Sequence, residues 1–345
     1  MQKKAKNPGC LSVSLYLPLA ISTPSLLASN FFGKFKAHQK FVLPSLRSGC
    51  PRGADGLESN FSKQAPQQIM DSHKLLQRFK EPPIIDGMEM IQLKVPQWEK
   101  HTGLLHGFVG RQGGKSAGPY SGLNVSYRVG DDAQVVSQNV CDMKLAVGIH
   151  DGRIVTMRQV HGDHIVEVTD KKLKETGEAD GMITAVPDVY LGVLTADCVP
   201  ILFVAPKRRL IAAVHAGWRG TLAGIADKTV RLFKSQYDVE AHDLEVAFGP
   251  SIGPCCYEVK EDVTVPLMKT WGRLTTPSIH VKEGKSFVNL RRLNRDIVRA
   301  SGVPGKQLFE VGPCTACAMD EFFSYRGHQG GETGRQMSFI GWLPS

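Results

Sequence analysis

At 345 residues, with 42% hydrophobic and 22% charged side chains, the chain is long enough to bury a large core and has the make-up of a globular enzyme. Its net charge of +9 is concentrated in residues 1–60, where eight Lys or Arg face only Asp55 and Glu58; the body carries no Lys/Arg stripe, which argues against a nucleic-acid partner. Eight cysteines are too sparse for a disulfide scaffold, so reduced thiols are expected, some of them functional.

The head has no acidic residue before Asp55, is rich in Ser, and contains the apolar run Leu11–Ala28. These traits predict an organelle transit peptide over residues 1–70, directed to a plastid (chloroplast) or mitochondrion. A secretory signal is the rival, because Lys3, Lys4 and Lys6 precede the run, and a plain extension on a cytoplasmic protein is the third reading. Pro18 and Pro24 interrupt the run too early for a membrane span, so no membrane partner is expected. Residues 71–95, with Pro82 and Pro83, read as a linker, and 96–345 as one domain.

A strand is predicted at Leu104–Val109, followed by a glycine-rich loop at 110–124 that fails the P-loop spacing because Val109 stands where a glycine is required. Asp131 or Asp132 caps a helix with Val136, Val140, Met143 and Val147 on one face and Gly148 as its stop. Strands at Arg153–Val160 and Ile165–Thr169 flank His161-Gly162-Asp163-His164, and Asp180–Thr184 reads as a turn entering another strand. Leu191–Thr195 leads to Cys198. The run Leu210–Val214 ends at His215, and Pro206–Arg209 suggests a hairpin or tight connection.

A helix is expected from Thr221, as N-cap, to about Gln236, its Gly-rich start leaving backbone N–H groups open to an anion. A strand at Leu244–Phe248 runs into Gly249–Val259, then come helices at Glu261–Trp271, with Pro266 inside, and Asn289–Ala300. Interleaved strands and helices with short loops imply an α/β (α+β) fold, a single layered domain of mixed sheets with flanking helices.

Three constellations could carry chemistry. His161, Cys198 and His215 each end an apolar run, and two His with one Cys is a catalytic zinc pattern in which the fourth position stays open. Such a zinc lowers the pKa of bound water to about 7 or polarises a substrate oxygen. Second, Cys256-Tyr257-Glu258 with Pro313-Cys314-Thr315-Ala316-Cys317 satisfies the C-x-E…P-C-x-x-C form of the zinc nucleobase deaminases, with Glu258 as proton shuttle. Third, Cys198 with His215, or Cys255 or Cys256 with a histidine, could be a metal-free Cys–His hydrolase pair.

Gln159-Val160-His161-Gly162, Ala179-Asp180-Gly181, Thr195–Cys198, His215–Gly220, Gly249–Val259 and Phe322–Arg326 together resemble the laccase-domain family over about 104–343. The resemblance implies a single α/β domain of the family's own kind, a zinc ion on His161, Cys198 and His215, and purine nucleoside phosphorylase with adenosine deaminase activity, although members were long classed as multicopper polyphenol oxidoreductases. None of the eleven histidines forms the His-x-His pair that multicopper clusters draw on, which makes copper the weaker cofactor reading. The chain departs from the family at Gly110-Arg111, where Thr-Arg is usual, and at Gly327, where a second Arg is usual. The implied partners are a purine nucleoside and phosphate. Arg111, Arg219 and Arg326 are the candidate phosphate contacts, since a guanidinium binds phosphate bidentately. Asp197 and Glu258 are candidate proton shuttles in deamination, and Asp197 could alternatively orient a ligand histidine. An amidase acting on a peptide-linked sugar and a non-catalytic zinc protein are the alternatives; the preferred nucleoside and the oligomeric state are left open.

Overall fold

The computed structural model describes residues 84–85, 88–150 and 153–344; the expected targeting segment and most of the expected linker lie outside them. A hairpin of β1 (Ile84–Ile85) and β2 (Met88–Glu89) precedes β3 (Gln92–Leu93), β4 (Leu104–Val109) and helix α1 (Ala133–Ala146). The next run is β5 (Arg153–Arg158), β6 (Ile165–Glu167), β7 (Glu175–Glu178), β8 (Gly181–Thr184), β9 (Val189–Thr195), β10 (Val199–Ala205) and β11 (Leu210–Ala216). Helices α2 (Trp218–Ala223) and α3 (Ile225–Tyr237) follow, then β12 (Glu245–Phe248), β13 (Glu258–Val259) and α4 (Glu261–Trp271). The chain ends with β14 (Ile279–Lys282), β15 (Lys285–Val288), α5 (Leu290–Ala300), β16 (Leu308–Glu310) and β17 (Gln336–Trp342).

Two mixed six-stranded sheets form the body, one in the order β16-β12-β10-β11-β8-β6 and the other β3-β4-β17-β9-β5-β7. Strand β10 shows why they stack: Ile201, Phe203 and Ala205 face helices α3 and α5, while Leu202 and Val204 face the second sheet. Every residue of β10 and β11 is buried, as expected when both faces of a strand are covered. The second sheet repeats the rule, with Leu191 and Val193 toward the first sheet and Tyr190 toward α1 and its neighbours Leu123 and Val125. The layers therefore run helices, sheet, sheet, helix. Each fully buried Leu or Phe contributes roughly 1.5–3 kcal/mol of transfer energy.

Several boundaries differ from the sequence reading for identifiable reasons. The folded body begins before residue 96, since β3 pairs with β4 and both Met90 and Val95 are fully buried. The helix expected from Thr221 starts at Trp218 with Gly217 as N-cap, and Gly224 (φ +82) divides it into α2 and α3. Thr221 is not a cap; its hydroxyl accepts a hydrogen bond from Asn294 at 2.8 Å inside the core. His215 lies within β11, opposite Pro200 of β10, rather than beyond the strand end. The expected hairpin is β10–β11, and Leu191–Thr195 belongs to the other sheet. Asp132, of the two candidates, caps α1, and Asn289 caps α5.

Three crossings decide where the site lies. The chain passes from the second sheet to the first between β5 and β6, between β7 and β8, and between β9 and β10. These crossings carry His161, Asp180 and Cys198, so one seam between the sheets gathers residues far apart in sequence.

Candidate active site

His161, Cys198 and His215 meet at that seam, their ligand atoms all within 4.8 Å of one another. His215 is buried, Cys198 half-buried and His161 exposed, so the group grades from core to opening. The two imidazole rings stand edge to face, with centroids 4.8 Å apart. His161 adopts a left-handed backbone (φ 61), an uncommon conformation for a residue with a side chain. It is held there by Asp180, whose carboxylate accepts the backbone N–H groups of Val160 (3.2 Å), His161 (3.0 Å) and Gly162 (2.6 Å).

The same carboxylate lies 2.7 Å from Nδ1 of His215, with both side chains out of solvent. Burial alone would raise the Asp180 carboxyl, but the His215 contact and the backbone N–H groups of Gly162 and Val160 hold it below the ordinary carboxylate range. An ionised carboxylate only accepts, so Nδ1 of His215 carries the proton and Nε2 is the nitrogen left for a ligand. Burial pushes the Cys198 thiol up, yet the charge of His215 and hydrogen bonds from both histidines outweigh it and bring the thiol down to about 6. Burial likewise opposes the charge on His215, and the Cys198 and Asp180 partners overcome it, raising the ring to about 9. Gly217 completes the group: a Cβ there would sit 3.1 Å from both Cys198 Sγ and His161 Cδ2. Two imidazoles and an anionic thiolate, with space preserved by a glycine, form a donor set suited to a divalent metal.

The group opens into a cavity of about 510 Å³ whose walls include Trp218, Tyr257, Tyr325, Arg219, Arg326 and Arg335. That is within the range of small-molecule sites. The hydroxyl of Thr195, on the cavity wall, is buried without a hydrogen-bond partner. The guanidinium of Arg219 stacks on Trp218 at 4.4 Å, and among the described residues it makes no ion pair with a carboxylate. Arg326 lies over Tyr257 and donates from Nη1 to the Glu258 carbonyl at 2.8 Å.

The other sequence candidates separate. Arg111 is not brought to the cavity; its guanidinium donates to the carbonyls of Ser121 (2.8 Å) and Met319 (3.0 Å) and covers Phe323, clamping the glycine-rich loop. Asp197, in a left-handed conformation (φ 99), accepts from Thr315 (2.6 Å), Ser324 (2.7 Å) and the Arg326 N–H (2.7 Å). It ties down the Arg326 loop, and Asp180 takes the histidine-orienting role considered for it. Glu258 pairs with Lys285 at 3.0 Å on the rim of an adjoining hollow of about 590 Å³. Cys255 and Cys256 do not reach His161 or His215; they gather with Cys314 and Cys317 in a separate cluster. Sequence reasoning missed Asp180 and Arg335 as site residues. A carboxylate serving a buried histidine is a recurrent arrangement, but Asp180 and His215 are 35 positions apart.

The family described as multi-copper polyphenol oxidoreductase laccase matches residues 105–343. The chain belongs to that family. Within it, the chain is 36% identical over 249 residues to a purine nucleoside phosphorylase, YlmD, of Geobacillus stearothermophilus, covering 70% of this chain and 90% of that protein. It is 32% identical over 226 residues to adenosine deaminase RL5 from an unknown prokaryotic organism, covering 63% of this chain and 85% of that one. The laccase-family fold is shared with the crystal structure of the Bacillus licheniformis hypothetical protein YfiH, with TM-score 0.68, 33% identity, and coverage of 73% and 96%. No helix among the described residues is long and apolar enough to cross a membrane.

Proposed function

We propose that this chain is a zinc-dependent purine nucleoside phosphorylase that also deaminates adenosine. The observation that carries the reading is the His161–Cys198–His215 group opening directly into a cavity that has arginines and aromatic rings on its walls. The names of the relatives support a nucleoside as the class of substrate. Zinc would be held by Nε2 of His215, His161 and Cys198, and when bound it supplies a Lewis acid for polarising a substrate oxygen.

In phosphorolysis a phosphate oxygen forms a bond to C1′ of the ribose while the bond from C1′ to the purine nitrogen breaks, the electron pair and a proton ending on the base. Arg219 and Arg326, whose charges both act on the Tyr257 hydroxyl, would bind the phosphate from one wall. Asp197 keeps Arg326 in place through its backbone N–H, and Glu258 contributes its carbonyl to the same guanidinium. Trp218, Tyr257 and Tyr325 offer faces for the purine and exclude water around it. Thr195 offers its unpartnered hydroxyl to a ribose or base atom. For deamination, Asp197 is the carboxylate on the cavity wall and is favoured over Glu258 for proton transfer.

The deciding experiment incubates metal-quantified protein with adenosine or inosine, with and without phosphate. Phosphate-dependent release of free base plus ribose 1-phosphate is expected, with inosine as a further product from adenosine. No turnover of any purine nucleoside by metal-replete protein refutes the reading. The Ser-rich, acid-poor head is proposed to be a plastid or mitochondrial targeting segment, tested by sequencing the N-terminus of protein recovered from the organelle.

A further inference from the structure

Beside the cavity lie four more thiols that the reaction above does not use. Cys255 and Cys256 sit on the turn after β12, and Cys314 and Cys317 on the turn after β16; all four Sγ atoms lie within 4.8 Å of one another. Cys317 is 3.3 Å from the sulfurs of both Cys255 and Cys256. A disulfide joins two sulfurs at about 2 Å and leaves the others aside, whereas one sulfur equally close to two partners suits a shared central ion. Four thiolates at about 2.3 Å from a tetrahedral zinc stand about 3.8 Å from one another, which this cluster can meet with shifts of an ångström or less.

The backbone is arranged for such a centre. Each pair is presented by a tight turn: Cys256 and Tyr257 donate to the Gly253 carbonyl, and Cys317 and Ala318 to the Cys314 carbonyl. The two turns are joined by a bridge between Ser251 and Cys314, with the Thr315 N–H on the Ser251 carbonyl at 3.2 Å. The Gly253 N–H points at Cys314 Sγ, 3.1 Å away, as an outer partner of a bound thiolate does. Gly253 is also the close-approach residue: a Cβ there would stand 3.1 Å from the Cys314 Cβ and 3.3 Å from Cys255 Sγ. The largely buried Arg291 donates to the Val311 and Gly312 carbonyls just ahead of Cys314, and its positive charge acts on Cys314 and Cys255. It offsets part of the double negative charge that four thiolates leave around a divalent ion.

We propose that Cys255, Cys256, Cys314 and Cys317 form a second metal site, a closed tetrathiolate zinc centre that clasps the 253–257 turn to the 314–317 turn. The deaminase-like pattern of Cys256, Cys314 and Cys317 is thereby explained without catalysis: Cys255 fills the position that a catalytic zinc would leave open, and the Glu258 carboxylate is paired with Lys285. The centre is structural, and it does not depend on the nucleoside reading.

Cys255 and Cys317 are exposed, so burial cannot protect them from alkylation, and that supplies a readout needing no variant. In purified, reduced full-length protein, all four cysteines should resist iodoacetamide until a strong chelator is added, and then react together. X-ray absorption of the zinc in a Cys198→Ser background should show sulfur-only coordination at about 2.3 Å. Cys317→Ser should lower the metal content by one ion per chain, and Cys317→His, which keeps a zinc-competent donor, should restore it. Rapid alkylation of Cys255 and Cys317 in metal-replete protein overturns the proposal. So do disulfides among the four in unreduced peptide maps, or an unchanged metal content in both Cys314→Ser and Cys317→Ser.

Discussion

Replacing Asp180 by asparagine removes one charge and almost no volume from the centre of the seam. The carboxylate serves four donors, with Oδ1 taking His161 N and His215 Nδ1, and Oδ2 taking Val160 N and Gly162 N. Asparagine offers one oxygen and one NH2. Placing the oxygen at Oδ2 preserves both backbone bonds there, including the 2.6 Å contact to Gly162, and is the cheaper orientation. The NH2 then faces His215, which answers by moving its proton from Nδ1 to Nε2 and so loses the lone pair available to a metal. The His161 N–H is left without an acceptor, at a cost of roughly 2 kcal/mol, which lowers Tm by roughly 4–8 °C in a domain of this size. Partners of metal-bound histidines are worth roughly 10–100-fold in affinity. Chelator competition should therefore show metal bound at the His161–Cys198–His215 group at least tenfold more weakly in Asp180→Asn, with turnover falling in parallel. Metal affinity within about twofold of the wild type refutes the role given to Asp180.

Arg326→Ala removes the guanidinium facing the cavity while Asp197 keeps its bond to the backbone N–H, so the loop should stay in place. Steady-state kinetics should show KM for phosphate rising roughly 10–100-fold, the cost of one charged hydrogen-bonding contact, with stability within about 0.5 kcal/mol of wild type. Gly217→Ala forces a methyl to 3.1 Å from Cys198 Sγ and His161 Cδ2, and metal analysis should show that group depleted while the fold melts near its normal temperature. His106 is buried and accepts the Val95 N–H, and burial, with the charges of Lys94 and His101, lowers its pKa to about 3. Above pH 6.5 the ring is neutral in folded and unfolded chains alike; below it only the unfolded chain takes up the proton, so this contribution is lost as pH falls toward 3. The loss at pH 5 is about 2 kcal/mol, and His106→Gln should remove that part of the difference between urea midpoints at pH 7.5 and pH 5.

Local sequence pattern marked many of the elements, and the family motifs pointed to the principal donors. The apolar runs Leu104–Val109 and Leu210–Val214 read as strands, Asp131 or Asp132 and the pattern of Asn289–Ala300 marked two helices, and His161, Cys198 and His215 stood in recognisable motifs, whereas β10 was not among the strands expected. Rules of period and capping act over a few residues, so they hold before the fold is known. What each polar side chain does was set by contacts across the fold. The tertiary structure gave Asp180 to His215, gave Asp197 to Thr315 and Ser324 across well over a hundred positions, and spent Arg111 on its own loop. It also joined Cys255 to Cys256, Cys314 and Cys317, the three cysteines read from the sequence as a deaminase signature, in one four-thiol cluster. These partnerships are set by charge and hydrogen bonding through space. They exist only because the chain passes three times from its second sheet to its first at one edge, and no local pattern in the sequence records where those crossings meet.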